Sequence, residues 1–384
     1  MKLRILADEN IPSVSTLLGS DFDLITLPGR QISKEHLKGV DALLVRSVTQ
    51  VDNALLEDTC VRFVGTATSG TDHIDREWLQ QSGIDFAFSP GSNANSVVEY
   101  VIAAIATSGD HLERLLKGGT LGVIGYGVIG AAIVARFSAL GITTKVYDPW
   151  LAQDVVAGAA GIEEVLACDV VTLHPELTEA LPWPSYHLLG KDNLALLNEK
   201  QLLINASRGA VIDNKALLER LNEANHPTVI LDVWENEPNV SPELLAKVRF
   251  GTAHIAGYSF DGKVKATRML CAAMAESLDF DLSADTSDAD FPLASLALAP
   301  GLSFEDGIRS LISQCYQIER DDELLRKSTV SKMPDEQVIQ FDLLRKNYAR
   351  RYELAGQRVC VDSSDSDQLE LLRALGCIPV QIKD

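Results

Sequence analysis

The segment that most restricts the fold is the apolar run Leu121–Ile124, followed at once by Gly125-Tyr126-Gly127-Val128-Ile129-Gly130. A short strand entering three glycines at this spacing, and then a helix over Val128–Leu140, reads as the start of a parallel βαβ unit. The first glycine permits the tight turn, the second lets a pyrophosphate approach the backbone, and the third allows close helix–strand contact. The helix start adds N–H donors and a positive dipole end. Such turns also occur without a ligand, so an acidic partner is needed. Asp148 supplies one at the end of the strand Thr143–Tyr147, about 20 residues on, where a carboxylate accepts from ribose hydroxyls and repels a 2′-phosphate. The pair points to NAD rather than NADP.

The flanking pattern agrees. Leu3–Ala7, Phe22–Leu27, Ala42–Val45, Arg62–Gly65 and Ile84–Phe88 read as strands, alternating with short helices such as Asp52–Asp58, capped by Asp52, and Ile74–Gln81. Ser96–Lys117 reads as one long helix stopped by Gly118-Gly119. Beyond the glycine turn, Val170–Leu173, Leu202–Asn205, Thr228–Leu231 and Arg249–Thr252 continue the strands, with helices such as Lys215–Ala224 between them. Ser259–Phe280 is a further helix, expected to return to the first domain. Asp279–Asp290 is acidic and polar, as a linker is. The tail beyond has helical Phe304–Arg320 and Gln337–Ala349 and strand-like Arg358–Val361. The expected fold is α/β: two doubly wound parallel-sheet domains, one flavodoxin-like (1–96 with 259–282) and one Rossmann-type (97–258), plus a small α+β segment (290–384).

Charge narrows the partners. With 34 Lys+Arg against 54 Asp+Glu the chain carries a formal −20, which repels nucleic-acid phosphates and anionic membranes. An anionic substrate needs a local basic pocket. The six cysteines include no C-x-x-C pair and read as buried thiols of a reducing compartment. No His/Cys/carboxylate cluster has metal-ligand spacing along the chain, so no metal is expected. The N-terminus has no signal-peptide apolar run, and Val97–Thr107 is too short to span a bilayer, so a cytoplasmic location is expected.

Three later segments each follow a strand end, where open α/β sheets bind ligands: Asn205-Ala206-Ser207-Arg208-Gly209, Asp232-Val233-Trp234-Glu235-Asn236-Glu237-Pro238 and Thr252-Ala253-His254-Ile255-Ala256-Gly257. Singly, Arg208 reads as a surface cation, Glu237 as a solvated carboxylate and His254 as a core histidine. In this order after a nucleotide turn, they resemble the Arg, Glu and His of the D-2-hydroxyacid dehydrogenase family. Leu6–Asn10, Val45–Thr49, Phe63–His73 and Ala253–Tyr258 resemble that family too. The tail segments Arg320-Asp321-Asp322 and Phe341–Tyr348 resemble the dimerisation domain found in some members.

The resemblance implies NAD as cofactor, a phosphorylated 2-hydroxy acid as substrate and a homodimer. It implies His254 as the base that takes the substrate hydroxyl proton, Glu237 as its orienting carboxylate and Arg208 as the clamp on the substrate carboxylate. Ser47, Thr68 and Tyr258 would touch substrate. Gly125, Gly127, Val128, Ile129, Gly130, Asp148, Pro175, Ala206, Ser207, Arg208, Asp232 and Gly257 would line the NAD site. One position departs from the family: where His-Thr-Pro-Leu is common, this chain has His174-Pro175-Glu176-Leu177. Pro175 has no hydroxyl and no N–H, which leaves only van der Waals or carbonyl contact.

Arg46 is a candidate phosphate ligand. The cluster Arg345, Lys346, Arg350 and Arg351 reads either as a solvated helix face or as a group reaching a partner subunit's active site. His36 and His73 are possible extra catalytic groups, His73 having a structural alternative after an Asp72 cap, and the four tryptophans read as packing residues. Two competing functions stand beside this one: a phosphoglycerate-type dehydrogenase, and an NAD(H)-sensing scaffold on the same fold.

Overall fold

The structure, a computed structural model, describes residues 2–282, 296–330, 332–361 and 366–381. The chain gathers into two compact units, Met1–Asn93 with Ser259–Pro292 and Ala94–Tyr258 with Leu293–Asp384.

In the first unit β1 (Arg4–Asp8), β2 (Asp23–Leu27), β3 (Ala42–Val45), β4 (Phe63–Thr66) and β5 (Asp85–Phe88) form a wholly parallel sheet in the order β2-β1-β3-β4-β5. That is the flavodoxin-like winding. All four residues of β3 and of β4 are buried, as expected when helices cover both faces. The helix Phe260–Leu278 lies on this unit, where the Ser89 hydroxyl donates to the Ala266 carbonyl and the Thr267 hydroxyl to that of Pro12. Asp52 caps its short helix through the Leu55 N–H. The next helix starts later than expected, at Arg76, and Asp75 rather than Asp72 caps it.

The second unit holds β6 (Thr120–Ile124), β7 (Thr143–Tyr147), β8 (Val170–Leu173), β9 (Leu202–Asn205), β10 (Thr228–Leu231) and β11 (Phe250–Gly251), again all parallel, in the order β11-β10-β9-β8-β6-β7. Outside β7 one parallel bridge joins Val146 to Ala159. Counting that bridge as a strand gives the Rossmann order, its third strand reduced to a single rung. A third parallel sheet, β12 (Leu296–Ala297), β13 (Arg358–Val361) and β14 (Ile378–Gln381), completes the unit.

This last segment shares a core with the nucleotide-binding part. Val97, Val101, Ile105 and Leu112 belong to one buried cluster with Ile308, Leu311, Val359, Leu371 and Leu372. Phe341 and Leu325 fill another beneath β8–β10. At about 1.5–3 kcal/mol for each large apolar side chain, this burial explains why the tail joins the unit rather than standing apart. Polar ties add to it. Asp322 accepts from the Gly251 N–H at 2.7 Å, and Arg326 donates to the Leu245 and Val248 carbonyls.

Two expected helices are each broken. Ser96–Lys117 is Ala94–Ala106 and His111–Leu116, parted at Gly109, whose φ of +66° ends the first. Phe304–Arg320 is Phe304–Cys315 and Ile318–Thr329. There Tyr316 is extended and buried against Tyr100 and the Arg351 guanidinium, which decides its conformation over helix continuity. The strand expected over Arg249–Thr252 is confined to Phe250–Gly251. Residues 283–290 of the expected linker lie outside the described residues. Cys60 is exposed, so the cysteines are not uniformly buried; among the described residues all six are free. Trp234 packs in the core, but Trp150 and Trp183 are exposed, linked by the Trp150 indole N–H donating to the Trp183 carbonyl. No described helix is long and apolar enough to cross a membrane.

Glu99 and Arg351 are both buried, 3.8 Å apart, and Glu99 Oε1 accepts from the N–H groups of Leu354 and Ala355. Burial pushes the Glu99 carboxyl up to about 7, against the pull of Arg351. The folded chain therefore holds this proton more tightly than the unfolded one. The group's stability is present at low pH and is lost as pH rises through the window ending near 7, on the order of 1 kcal/mol per pH unit. Glu99→Gln should flatten that part of the stability profile. Urea unfolding of both proteins at mildly acidic and mildly alkaline pH tests it; identical slopes would refute it.

Candidate active site

Because both large sheets are parallel, residues just past the strand ends share one edge within each. In the second unit that edge carries Gly125, Asp148, His174-Pro175, Ala206–Arg208, Asp232–Glu237 and Thr252–His254. Backbone bonds continue the ladder past the strands: His174 donates to Ile124, Asp232 to Asn205, Thr252 to Leu231 and His254 to Asp232.

The central pair is His254 and Glu237. His254 Nδ1 lies 2.5 Å from Glu237 Oε1, while Glu237 Oε2 accepts from the Trp234 N–H. With Nδ1 engaged, Nε2 is the nitrogen available to a substrate. Burial acts to raise the Glu237 carboxyl, but the charge and hydrogen bond of His254, with the charge of Arg345, outweigh it and hold Glu237 below the usual carboxylate range. The imidazole thus faces an ionised carboxylate.

His254 has φ of +54°, the left-handed region that non-glycine residues rarely occupy. Asp232 holds it there. This buried carboxylate accepts from the Thr252 hydroxyl (2.6 Å) and the N–H groups of Ile255 (2.8 Å) and Ala256 (2.9 Å), and its backbone carbonyl accepts from His254 N–H at 2.7 Å. Tyr100 is 2.9 Å from the Thr252 hydroxyl on the far side. Sequence reasoning assigned Asp232 to the cofactor alone; nothing in the spacing between positions 232 and 254 signalled a loop organiser.

Arg208 follows β9 and donates to the Ser207 carbonyl, while Asn205 accepts from Ser207 and donates to the Arg208 carbonyl. The next residue must be glycine: a Cβ on Gly209 would collide with the backbone of Trp234 and Glu235. That close approach brings the Arg208 loop against the loop bearing Glu237.

The glycine turn fits a dinucleotide. Gly125 has φ of +90°, and a Cβ there would lie 2.5 Å from Pro175 N; one on Gly130 would strike the Gly125 carbonyl. A Cβ on Gly127 meets nothing, so open space lies over the second glycine at the start of the helix Val128–Ala139. A pyrophosphate needs that space. Asp148 is fixed by accepting from the N–H groups of Tyr126 (2.8 Å) and Trp150 (3.1 Å). His174 is buried with Nε2 on the Thr172 hydroxyl, and burial pushes its imidazole down to about 3, so it is neutral.

Residues 99–256 match the family model described as D-isomer specific 2-hydroxyacid dehydrogenase, NAD binding domain, and residues 290–376 match a domain of unknown function. An erythronate-4-phosphate dehydrogenase of Cellvibrio japonicus is 42% identical over 378 residues, covering 97% of this chain and 99% of that one. One of Serratia proteamaculans is 42% identical over 384 residues, with the same shares covered. The chain belongs to the D-isomer-specific 2-hydroxyacid dehydrogenases. The Aquifex aeolicus D-lactate dehydrogenase complexed with NAD and lactic acid shares the fold, with a TM-score of 0.57 at 21% identity, covering 74% of this chain and all of that one.

As a dehydrogenase of this family the chain is an NAD-dependent oxidoreductase. Asp148→Ser should weaken NAD, raising its KM about 10- to 100-fold, and narrow the preference over NADP, because a charge-assisted hydrogen bond and a repulsion are lost together. Steady-state KM values for both nucleotides check this; an unchanged ratio would remove Asp148 from cofactor choice.

The remaining candidates divide. Tyr258 is in the second unit with the His254 turn. Ser47 and Thr68 are in the first unit, just past β3 and β4, with Ser47 exposed and Thr68 bonded to Thr66 and the Gly70 carbonyl. Arg46 precedes Ser47 there. His73 bonds the Thr66 hydroxyl and His36 pairs with Ser33, so each serves local structure.

The basic cluster is not one solvated face. Arg351 is buried under Ser96 and Glu99, Lys346 and Arg350 are exposed, and Arg345 meets Tyr258 of its own chain. His187, Asp213 and Glu235 bring possible ligand atoms within 4.8 Å of one another, a grouping that spacing along the chain could not reveal. They are tied by bonds of their own: His187 Nε2 lies 2.7 Å from Glu235, and Asp213 caps the helix Asn214–Arg220.

Proposed function

We propose that this dehydrogenase oxidises C2 of 4-phospho-D-erythronate, giving (R)-3-hydroxy-2-oxo-4-phosphooxybutanoate in the synthesis of pyridoxine 5′-phosphate, vitamin B6. The observation that carries the reading is the 2.5 Å His254–Glu237 pair at the ligand-binding edge of an NAD fold, in a chain whose full-length relatives are named for this substrate. NAD, when bound, supplies the hydride acceptor. His254 Nε2 takes the C2 hydroxyl proton as C2 becomes a carbonyl, and Glu237 orients the imidazole and stabilises the imidazolium that forms. Arg208 holds the substrate carboxylate and the developing carbonyl oxygen with its planar fork. Ser47, Thr68 and Tyr258 contact substrate. Gly125, Gly127, Val128, Ile129, Gly130, Asp148, Pro175, Ala206, Ser207, Arg208, Asp232 and Gly257 line the NAD site, Pro175 through van der Waals contact. The segment 290–384 makes a homodimer, no metal takes part, and the enzyme works in the cytoplasm.

The test is NADH formation with 4-phospho-D-erythronate, beside D-3-phosphoglycerate and D-lactate, with and without 2-oxoglutarate to re-oxidise the cofactor. Turnover selective for phosphoerythronate is expected. Activity on phosphoglycerate alone would keep the mechanism and move the substrate. Silence on all three with NADH still bound would favour the sensing scaffold.

A further inference from the structure

A phosphorylated 2-hydroxy acid brings a carboxylate and a phosphate to a chain of formal charge −20. Arg208 answers one anion; the other needs a cation of its own. Arg345 lies in the last turn of the helix Pro334–Lys346 of the C-terminal segment, which Phe341, buried in the core under the nucleotide sheet, anchors to the second unit. Its guanidinium stands 5.7 Å from the ring centre of Tyr258, four residues after His254. Tyr348, on the same C-terminal segment, packs edge-on against that ring at 5.7 Å and is fixed by its hydroxyl donating to Asp321 at 2.7 Å. The Arg345 Nε–H is buried with no hydrogen-bond partner. A desolvated guanidinium donor is costly unless an acceptor arrives. The guanidinium already bonds the Tyr258 side chain and feels the charges of Glu237 and Asp342, but Glu237 is committed to His254 and the Trp234 N–H, and the Nε–H is left without an acceptor.

We propose that Arg345, supplied by the C-terminal segment of the same chain, is a substrate-binding residue that takes the phosphate of the phosphorylated 2-hydroxy acid beside Tyr258. The assignment rests on the substrate class given under Proposed function. It makes the C-terminal segment part of its own chain's site, with no residue from a partner subunit required. A guanidinium offers a phosphate a two-pronged, charge-assisted contact that an ammonium cannot reproduce.

The test compares 4-phospho-D-erythronate with unphosphorylated D-erythronate in the wild type, Arg345→Met and Arg345→Lys. The wild type should prefer the phosphorylated acid. Arg345→Met should raise its KM about 10- to 100-fold, leave the KM for D-erythronate and the NADH dissociation constant within about twofold, and so collapse the preference. Arg345→Lys should fall between, keeping charge but losing the fork. Should the Met variant fail to fold, the Lys variant carries the test alone: an unchanged KM for the phosphorylated acid overturns the proposal. So does a fall in kcat with the preference intact, which would mark Arg345 as structural. A wild type that turns over neither erythronate, yet oxidises another 2-hydroxy acid, would sink the substrate reading instead. Arg345 would then lose its phosphate role along with that reading.

Discussion

His254→Asn is expected to lower kcat about 10²- to 10⁴-fold, the range a positioned general base supplies. The side chain is half-buried, its Nδ1 is occupied by Glu237, and the other imidazole at this edge, His174, is buried with its Nε2 on the Thr172 hydroxyl, so the His254 Nε2 has no ready substitute there. NADH binding should be nearly unchanged, because the glycine turn and Asp148 lie at β6 and β7, on the other side of the sheet order. Adding Glu237→Gln to the variant should cost little more. Glu237 acts through the imidazole, and residues that act as one unit are not additive. Stopped-flow and steady-state rates, with NADH fluorescence titration, check all three points. A residual rate within tenfold of wild type would mean that another group takes the proton.

Asp232→Asn should have the second-largest effect, and on two quantities at once. Both carboxylate oxygens are filled by donors: the Thr252 hydroxyl and Ile255 N–H on one, the Ala256 N–H on the other. An amide can accept at one of those places only, and at the other its own N–H would face a donor. Losing a buried charge-assisted bond costs about 1.5–3 kcal/mol, and the left-handed His254 backbone stores about 1–3 kcal/mol of strain that this carboxylate restrains. The variant should therefore unfold at lower urea and lose kcat/KM about 10- to 100-fold as His254 leaves its geometry. Loss of rate with wild-type stability would confine Asp232 to cofactor binding and refute its part in the loop.

The strongly local features were legible in the sequence. β3, β7, β8, β9, β10 and β13 run over the residues that apolar runs and their Gly, Pro or Asp borders marked. Where strands were misjudged, as at Phe250–Gly251, a burial signal was taken for a pairing signal. The broken helices were misjudged for different reasons. Phe304–Arg320 carries no local breaker at Tyr316, and only the tertiary claim of Tyr100 and Arg351 on that residue shows its break. In Ser96–Lys117 a local signal was passed over: Thr107-Ser108-Gly109-Asp110 are poor helix formers, and Gly109 takes a positive φ. Trp150 and Trp183 were misread because aromatic residues are usually buried, a tendency that holds for Trp234 and fails for these two.

The site divides in the same way. Strand-end position marked Arg208, Glu237 and His254 as lying on one ligand-binding edge, since parallel strands put their ends together whatever their order, but only the resemblance to the dehydrogenase family singled them out and gave them roles. The glycine turn and Asp148 needed no more than adjacent strands β6 and β7. By itself, then, the sequence determined the fold class and the nucleotide, since these rest on periodicity, turn residues and functional groups carried by short segments. It could not supply the left-handed turn that Asp232 imposes on His254, the contact of the Gly209 and Trp234 loops, or the arrival of Arg345 at Tyr258. Those depend on which surfaces pack together across more than twenty, and in one case eighty-seven, positions of chain. Arg345 reaches Tyr258 because Phe341 and Leu325 are buried under the nucleotide sheet. Burial of apolar surface is non-directional along the chain, so only the packed structure decides which charge it carries to which site.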